Sequence, residues 1–128
     1  YELKDLPQRI PRALQDVQLS HAIDLPVKTF SSGMTKRTAI ARLLLQQPKL
    51  LLLDEPYTGL DQNSVRWFQE YLLNFRNHGG TLLLVTHQLE LGLELATRVL
   101  LLSQRKIVKD QSSSTVNLPE CQQWLSQS

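Results

Sequence analysis

The sequence predicts an α/β fold built on a parallel sheet, and three observations predict it. Residues 49–53 form a short apolar run, Lys-Leu-Leu-Leu-Leu, held between Pro48 and Asp54-Glu55-Pro56. A run that short between breakers is too cramped for a helix, and its lack of alternation fits a strand covered on both faces. Leucine is not a strong strand former, so the flanking residues carry this assignment rather than propensity. A second buried strand follows at residues 81–86, after a helical pattern that Gly79-Gly80 ends. Strand, helix and strand in that order make a βαβ unit, whose strands run parallel with a right-handed crossover.

The elements then fall into place along the chain. Residues 1–7 are polar and show no period. Residues 11–19 predict a helix, because Ile10, Leu14 and Val17 recur at i, i+4 and i+7 and Pro11 is tolerated in a first turn. Residues 19–28 predict a loop ending in Leu25-Pro26. Residues 35–47 carry Ile40, Leu43, Leu44 and Gln47 at helical spacing, with Ser31 or Ser32 as N-cap and Gly33 leaving the backbone unobstructed. Asp61 can cap a helix reaching about Asn77, with Val65, Phe68, Tyr71, Leu72 and Phe75 as its apolar stripe. Trp67, Phe68 and Tyr71 are expected in core or rim packing. Residues 88–96 predict a short helix with Leu89, Leu93 and Ala96 on one face. Residues 98–103 and 106–109 predict a hairpin around Gln104-Arg105, a pair without the Gly or Asn that tight turns favour. Residues 111–117 are Ser-rich and linker-like, and residues 118–125 predict a terminal helix with Leu118, Cys121, Trp124 and Leu125 as a weak apolar face. There are no internal repeats.

The chemistry gathers at the ends of the two strands. Asp54 and Glu55 lie at the carboxyl end of the first strand, the edge where open α/β sheets bind ligands. Two adjacent carboxylates there suit a hydrated Mg²⁺ and a base for water; alone, they would equally make a solvated acidic turn. Parallel pairing brings His87 out on the same edge, so three ionisable residues are expected to converge. The turn at Ser31-Ser32-Gly33 opens a helix, and its free N–H groups and hydroxyls make it a ready anion site.

Four motifs in order resemble the ABC-type ATPases. Phe30-Ser31-Ser32-Gly33-Met34 is similar to their signature, usually Leu-Ser-Gly-Gly-Gln; Lys36-Arg37 and Ala41-Arg42 follow it. Leu50 to Glu55 resembles Walker B, Thr58-Gly59-Leu60-Asp61 the D-loop, and Leu82 to His87 the strand and switch histidine. The resemblance covers residues 29–102. Ser32 stands where the family has its first signature glycine, and Met34 where it has glutamine. The resemblance implies a partial P-loop NTPase fold: the C-terminal half of a parallel-sheet core plus the end of the helical subdomain. Residues 1–47 would end the helical subdomain, 48–110 would belong to the core sheet, and 111–128 would form a linker and terminal helix.

It also implies roles. Asp54 would hold Mg²⁺, Glu55 would be the general base toward water, and His87 would contact the γ-phosphate of ATP. Ser31, Ser32 and Gly33 would cap the γ-phosphate of a nucleotide held by a second ATPase subunit, and Asp61 would couple the two sites. A transmembrane permease would be the further partner, and the place the cytoplasmic face of the inner membrane, as a peripheral subunit. Asp54 to Asp61, with Thr86-His87-Gln88, looks like the ATPase of the haem exporter of cytochrome c maturation, though such motifs serve the motor and not the cargo. A soluble ABC ATPase without a transport role and a non-catalytic interaction module are the other readings.

Composition narrows the classes. The chain has 128 residues and a net charge of +2, with scattered basic residues that leave no electrostatic footprint for nucleic acid. One cysteine, Cys121, excludes an internal disulfide and fits a reducing compartment. No apolar run approaches the length of a membrane-spanning helix, and no signal-peptide pattern is visible. None of the five glycines precedes a Lys-Ser or Lys-Thr pair in the spacing G-x-x-x-x-G-K-S/T, so the phosphate cradle of the family is not within these residues. With Tyr1 as its first residue, the chain is expected to be the C-terminal half of a nucleotide-binding domain, inactive alone and prone to self-association through uncovered sheet.

Overall fold

The computed structural model describes residues 5–46 and 48–126. Two helices come first: α1, Leu6–Asp16, and α2, Ser32–Gln46. The βαβ unit follows as β1, Leu50–Asp54, α3, Gln62–Asn77, and β2, Thr81–Val85. Then come α4, Leu89–Leu95, the hairpin β3, Arg98–Ser103, and β4, Lys106–Ser112, and finally α5, Leu118–Ser126.

α1 starts a turn earlier than the expected Pro11, because Pro7 rather than Pro11 takes the first-turn position that tolerates proline. Its inner face buries Ala13, with Val17 buried just past its end, while Ile10 is exposed. Arg9 reaches across to α2 and donates from Nη2 to the Leu45 carbonyl at 2.5 Å. That satisfies one of the carbonyls a helix end leaves without an internal partner. The expected loop over residues 19–28 contains two short 3-10 turns, Ser20–Ala22 and Val27–Thr29. α2 begins at Ser32, which decides between the two expected caps. Ser31 is therefore the capping residue, its Oγ accepting from Met34 N at 3.2 Å. Gln47, expected to close this helix, lies outside the described residues.

β1 and β2 pair in parallel, with Leu51 opposite Leu82 and Asp54 opposite Val85. The strand is shifted one residue from expectation, to Leu50–Asp54. A larger correction concerns its faces. Leu51 is 2% exposed and packs in the core with Phe68 and Leu72 of α3, joined by Leu53, Leu82 and Leu84. Leu50, Leu52, Leu83 and Val85 point the other way and are exposed, Leu52 to 68%. The apolar run without alternation was expected to be covered on both faces; in these residues only one face has a helix over it.

α3 ends as expected at the glycine pair. Gly79 adopts φ +86, and a Cβ on Gly80 would fall 2.2 Å from the Phe75 ring. The hairpin turn solves its lack of glycine by placing both Gln104 and Arg105 in the left-handed region, the conformation of a type I′ turn. β4 runs on to Ser112, paired with Arg98, so the segment expected as linker starts inside a strand and crosses the boundary placed at 110/111. A fork from Arg98 to Asp110, at 2.7 and 2.5 Å, holds that end of the hairpin. On α5, Cys121 is buried and Lys109 lies over the Trp124 ring, while Leu125 is exposed.

Candidate functional site

Parallel register decides what meets at the carboxyl edge. Asp54 ends β1 beside Val85, the last residue of β2, so the next residues of both strands leave the sheet together. Glu55 N donates to Val85 O at 2.8 Å, which carries the ladder one step beyond the strands. Glu55 then turns sharply, with φ +44. A non-glycine residue in that region carries strain of roughly 1–3 kcal/mol and persists only where its surroundings hold it.

The surroundings here are named groups. Glu55 Oε1 accepts from His87 N at 2.9 Å, and Oε2 lies 2.9 Å from His87 Nδ1 and 3.4 Å from the Thr86 hydroxyl. Thr86 Oγ1 in turn accepts from Gln88 N at 3.0 Å, fixing the segment where β2 passes into α4. Desolvation pushes the Glu55 carboxyl up, but the hydrogen bonds and charge of His87, with the Thr86 hydroxyl, outweigh it and hold the group below its ordinary value. Glu55 is therefore an ionised carboxylate. The His87 ring is 72% exposed, and with Nδ1 turned to Glu55 its other nitrogen is left for a further contact.

Asp54 and Glu55 part company in the structure. Asp54 is exposed, and its carboxylate forms no hydrogen bond or ion pair with the described residues. No group of three metal-ligating side chains occurs among the described residues. A lone open carboxylate suits Mg²⁺, which keeps several waters and takes one or two carboxylates beside phosphate oxygens.

The turn that opens α2 approaches the loop that follows β1. Ser31 and Ser32 are exposed at the start of α2, and Gly33 lies 3.7 Å from Gly59 O, measured from the position a Cβ would take. Asp61 caps α3, its Oδ1 accepting from Ser64 N at 2.8 Å while Oδ2 pairs with Arg37 Nη2 at 2.7 Å. The capping bonds from Ser64, then the Arg37 charge, hold the Asp61 carboxyl below its ordinary value against some desolvation. Lys36 donates to Glu55 O at 3.1 Å and to Thr58 O at 2.5 Å. Of the seven predicted site residues, Asp54, Glu55 and His87 meet at the carboxyl edge, Ser31, Ser32 and Gly33 open α2 with Gly33 beside Gly59, and Asp61 caps α3 at the end of the same loop.

Three contributors escaped the sequence. Lys36 and Arg37 were seen as part of a motif, but their partners lie across the fold and leave no local signal. Gln69 is the third. It is buried on α3, accepts from the Tyr57 hydroxyl, and donates to Leu91 O at 3.0 Å and Glu94 Oε2 at 2.9 Å. Burial, then the Glu94 charge, pushes the Tyr57 hydroxyl up to about 12. The Tyr57 ring packs edge-on against Phe68.

Residues 5–58 match the family described as ABC transporter. The aliphatic sulfonates import ATP-binding protein SsuB 2 of Pseudomonas savastanoi pv. phaseolicola is 38% identical over 109 residues, 84% of this chain and 41% of that protein. The probable ABC transporter ATP-binding protein p29 of Mycoplasma genitalium is 34% identical, over 86% of this chain and 45% of its own length. The chain thus spans less than half the length of these relatives. Among solved structures, the ATP-binding cassette MJ0796, a dimer in a post-hydrolysis state with ADP and Pi, superposes with a TM-score of 0.75 at 21% identity, over 88% of this chain and 49% of that one. Likeness at that identity shows the fold, which is that of ABC-type nucleotide-binding domains within the P-loop NTPases. Over most of its length the chain is thus similar to ABC transporter ATP-binding proteins. The finer resemblance to a haem exporter gains nothing from these relatives, the first of which is named for import.

Proposed function

We propose that this chain supplies the base, the switch and the signature of an ATP-hydrolysing motor in an ABC transporter. The observation that carries the proposal is the convergence of Glu55, Thr86 and His87 at the edge where Asp54 ends β1. Phosphoryl transfer to water depends mostly on positioning and charge stabilisation, and this edge offers both. Glu55, held ionised, accepts the proton of the attacking water. His87 positions that water and the γ-phosphate through its free nitrogen. Asp54 holds Mg²⁺, which would neutralise charge on the phosphate oxygens when bound. Ser31, Ser32 and Gly33 face a nucleotide held by a second ATPase subunit, and Asp61 lies between the two sites.

The phosphate loop must come from residues other than these 128, because no G-x-x-x-x-G-K-S/T occurs among them. The relative named for aliphatic sulfonate import supports an importer over the expected exporter. A permease is the membrane partner in this proposal. Among the described residues no helix is long and apolar enough to cross a membrane, which accords with a peripheral place at the cytoplasmic face of the inner membrane.

A second reading has one observation behind it: without a phosphate loop, the chain could lend its signature face to a partner and hydrolyse nothing. Glu55→Gln separates the two. In the assembly that includes a phosphate-loop segment, the change should cut turnover by about 10²–10⁴-fold and leave nucleotide binding intact. Unchanged turnover would remove Glu55 from the role of base.

A further inference from the structure

We propose that Lys36 is the positioning residue that holds Glu55 in its strained, productive backbone conformation, and that it does so by pinning the turn from Glu55 to Thr58 to the first turns of α2. This role rests on the hydrolytic function proposed for Glu55. The sequence offers no local reason for a cation here. α2 opens with no acidic residue in its first turn, and a helix N-terminus by itself favours anions. Lys36 nevertheless lies near that end, half-buried, and its ammonium spends two of its three protons off the helix. Both acceptors are backbone carbonyls of one turn, Glu55 O and Thr58 O.

That turn needs a clamp. Glu55 sits at φ +44, and Gly59 at φ +77 closes the same loop. Within the loop, Thr58 N reaches Glu55 O at a long 3.3 Å, and Leu60 N reaches Tyr57 O at 3.1 Å. The N-terminal side is anchored by Glu55 N to Val85 O, and the C-terminal side by Asp61 with Arg37. In the middle the Tyr57 side chain is bonded to Gln69, and Lys36 holds the backbone carbonyls on either side of it. A charge-assisted bond to two carbonyls is stronger than the neutral bonds around it. Lys36 also joins two functions physically. The turn it holds carries the base, and the helix it stands on begins with the signature turn. Whatever seats Ser31–Gly33 on a partner's nucleotide is thereby transmitted to the backbone of Glu55 through one side chain.

The test compares Lys36→Met, which keeps the stem and removes the charge, with Lys36→Arg, which keeps the donors. Amide hydrogen exchange in the 128-residue chain is read at Thr58 and Leu60, with Phe68 and Leu72 of α3 as reference. Lys36→Met should speed exchange at the two turn amides by about tenfold, the effect of losing a charged hydrogen bond, and leave the α3 amides unchanged. Lys36→Arg should restore protection. In the assembly that hydrolyses ATP, Lys36→Met should lower kcat with KM unchanged, and Lys36→Arg should recover most of it. Unchanged exchange at the turn, an equal rise across α3, or no recovery with arginine would each overturn the proposal. If the turn loosens as expected while the wild-type assembly shows no turnover, the positioning role stands and the proposed function fails.

Discussion

The two faces of the β1–β2 sheet are made of the same residue type and have opposite fates. Leu51, Leu53, Leu82 and Leu84 pack with the core cluster that includes Phe68 and Leu72. Leu50, Leu52, Leu83 and Val85, one residue along in each strand, are more than half exposed. Strand periodicity alone accounts for the difference, since a single helix can cover only one side of a parallel pair. The lesson is that an unbroken apolar run encodes two covered faces, and this chain supplies one cover. The remaining face is an apolar surface that water does not stabilise.

Mutation on the two faces gives the sharpest contrast. Leu51→Ala should destabilise the chain by about 2–5 kcal/mol, read as a shift of the denaturation midpoint. Leu52→Ser, its neighbour, should change stability by less than about 0.5 kcal/mol and should reduce self-association in sedimentation. Equal losses at both positions would mean that the open face is covered in solution. Tyr57→Phe comes next. It keeps the ring against Phe68 but leaves a buried Gln69 oxygen without its donor, so a loss of about 1–3 kcal/mol is expected in chemical denaturation. The loss should appear with faster exchange in α4, which Gln69 grips through Leu91 and Glu94.

The smallest effect is that of acid. Glu55, Asp61 and Asp110 are all held below their ordinary values, the last by hydrogen bonds from Arg98. A carboxylate with a lowered folded pKa contributes stability that is present above its unfolded pKa and lost as pH falls through the folded one. Stability should therefore hold from neutrality to about pH 4 and decline below it. Asp61→Asn should flatten that decline; an unchanged acid limb would show that the cap and its Arg37 pair contribute nothing measurable. These groups are exposed, so the effect should be modest beside the change at Leu51.

How far the sequence spoke depended on distance along the chain. Asp54, Glu55 and His87 were legible because a βαβ unit has one handedness and one edge, and their places follow from strand order alone. Asp61 was legible as a cap because its partner, Ser64, is three residues away. Lys36 and Arg37 were not, since their acceptors lie 22 and 24 residues distant in a different element. Gln69 stands outside the apolar stripe of α3, between Phe68 and Glu70, and only folding revealed a buried hub joining Tyr57 to α4. The start of α1 was misjudged for a local reason, since Pro7 rather than Pro11 was the effective punctuation, whereas Ser31 was legible as a cap of α2 because its partner, Met34, is three residues away. The expected linker failed because Ser-rich composition does not exclude a strand that an Arg98–Asp110 pair holds in register.

In the proposed function these residues answer a nucleotide that a phosphate loop elsewhere cradles. The most direct test is a calorimetric titration of the 128-residue chain with Mg-ATP, repeated with a segment that carries a phosphate loop. The chain alone should show no micromolar binding, and binding should appear once the segment is added. Micromolar or tighter affinity in the isolated chain would contradict the account, because it would mean that a phosphate site exists within the chain.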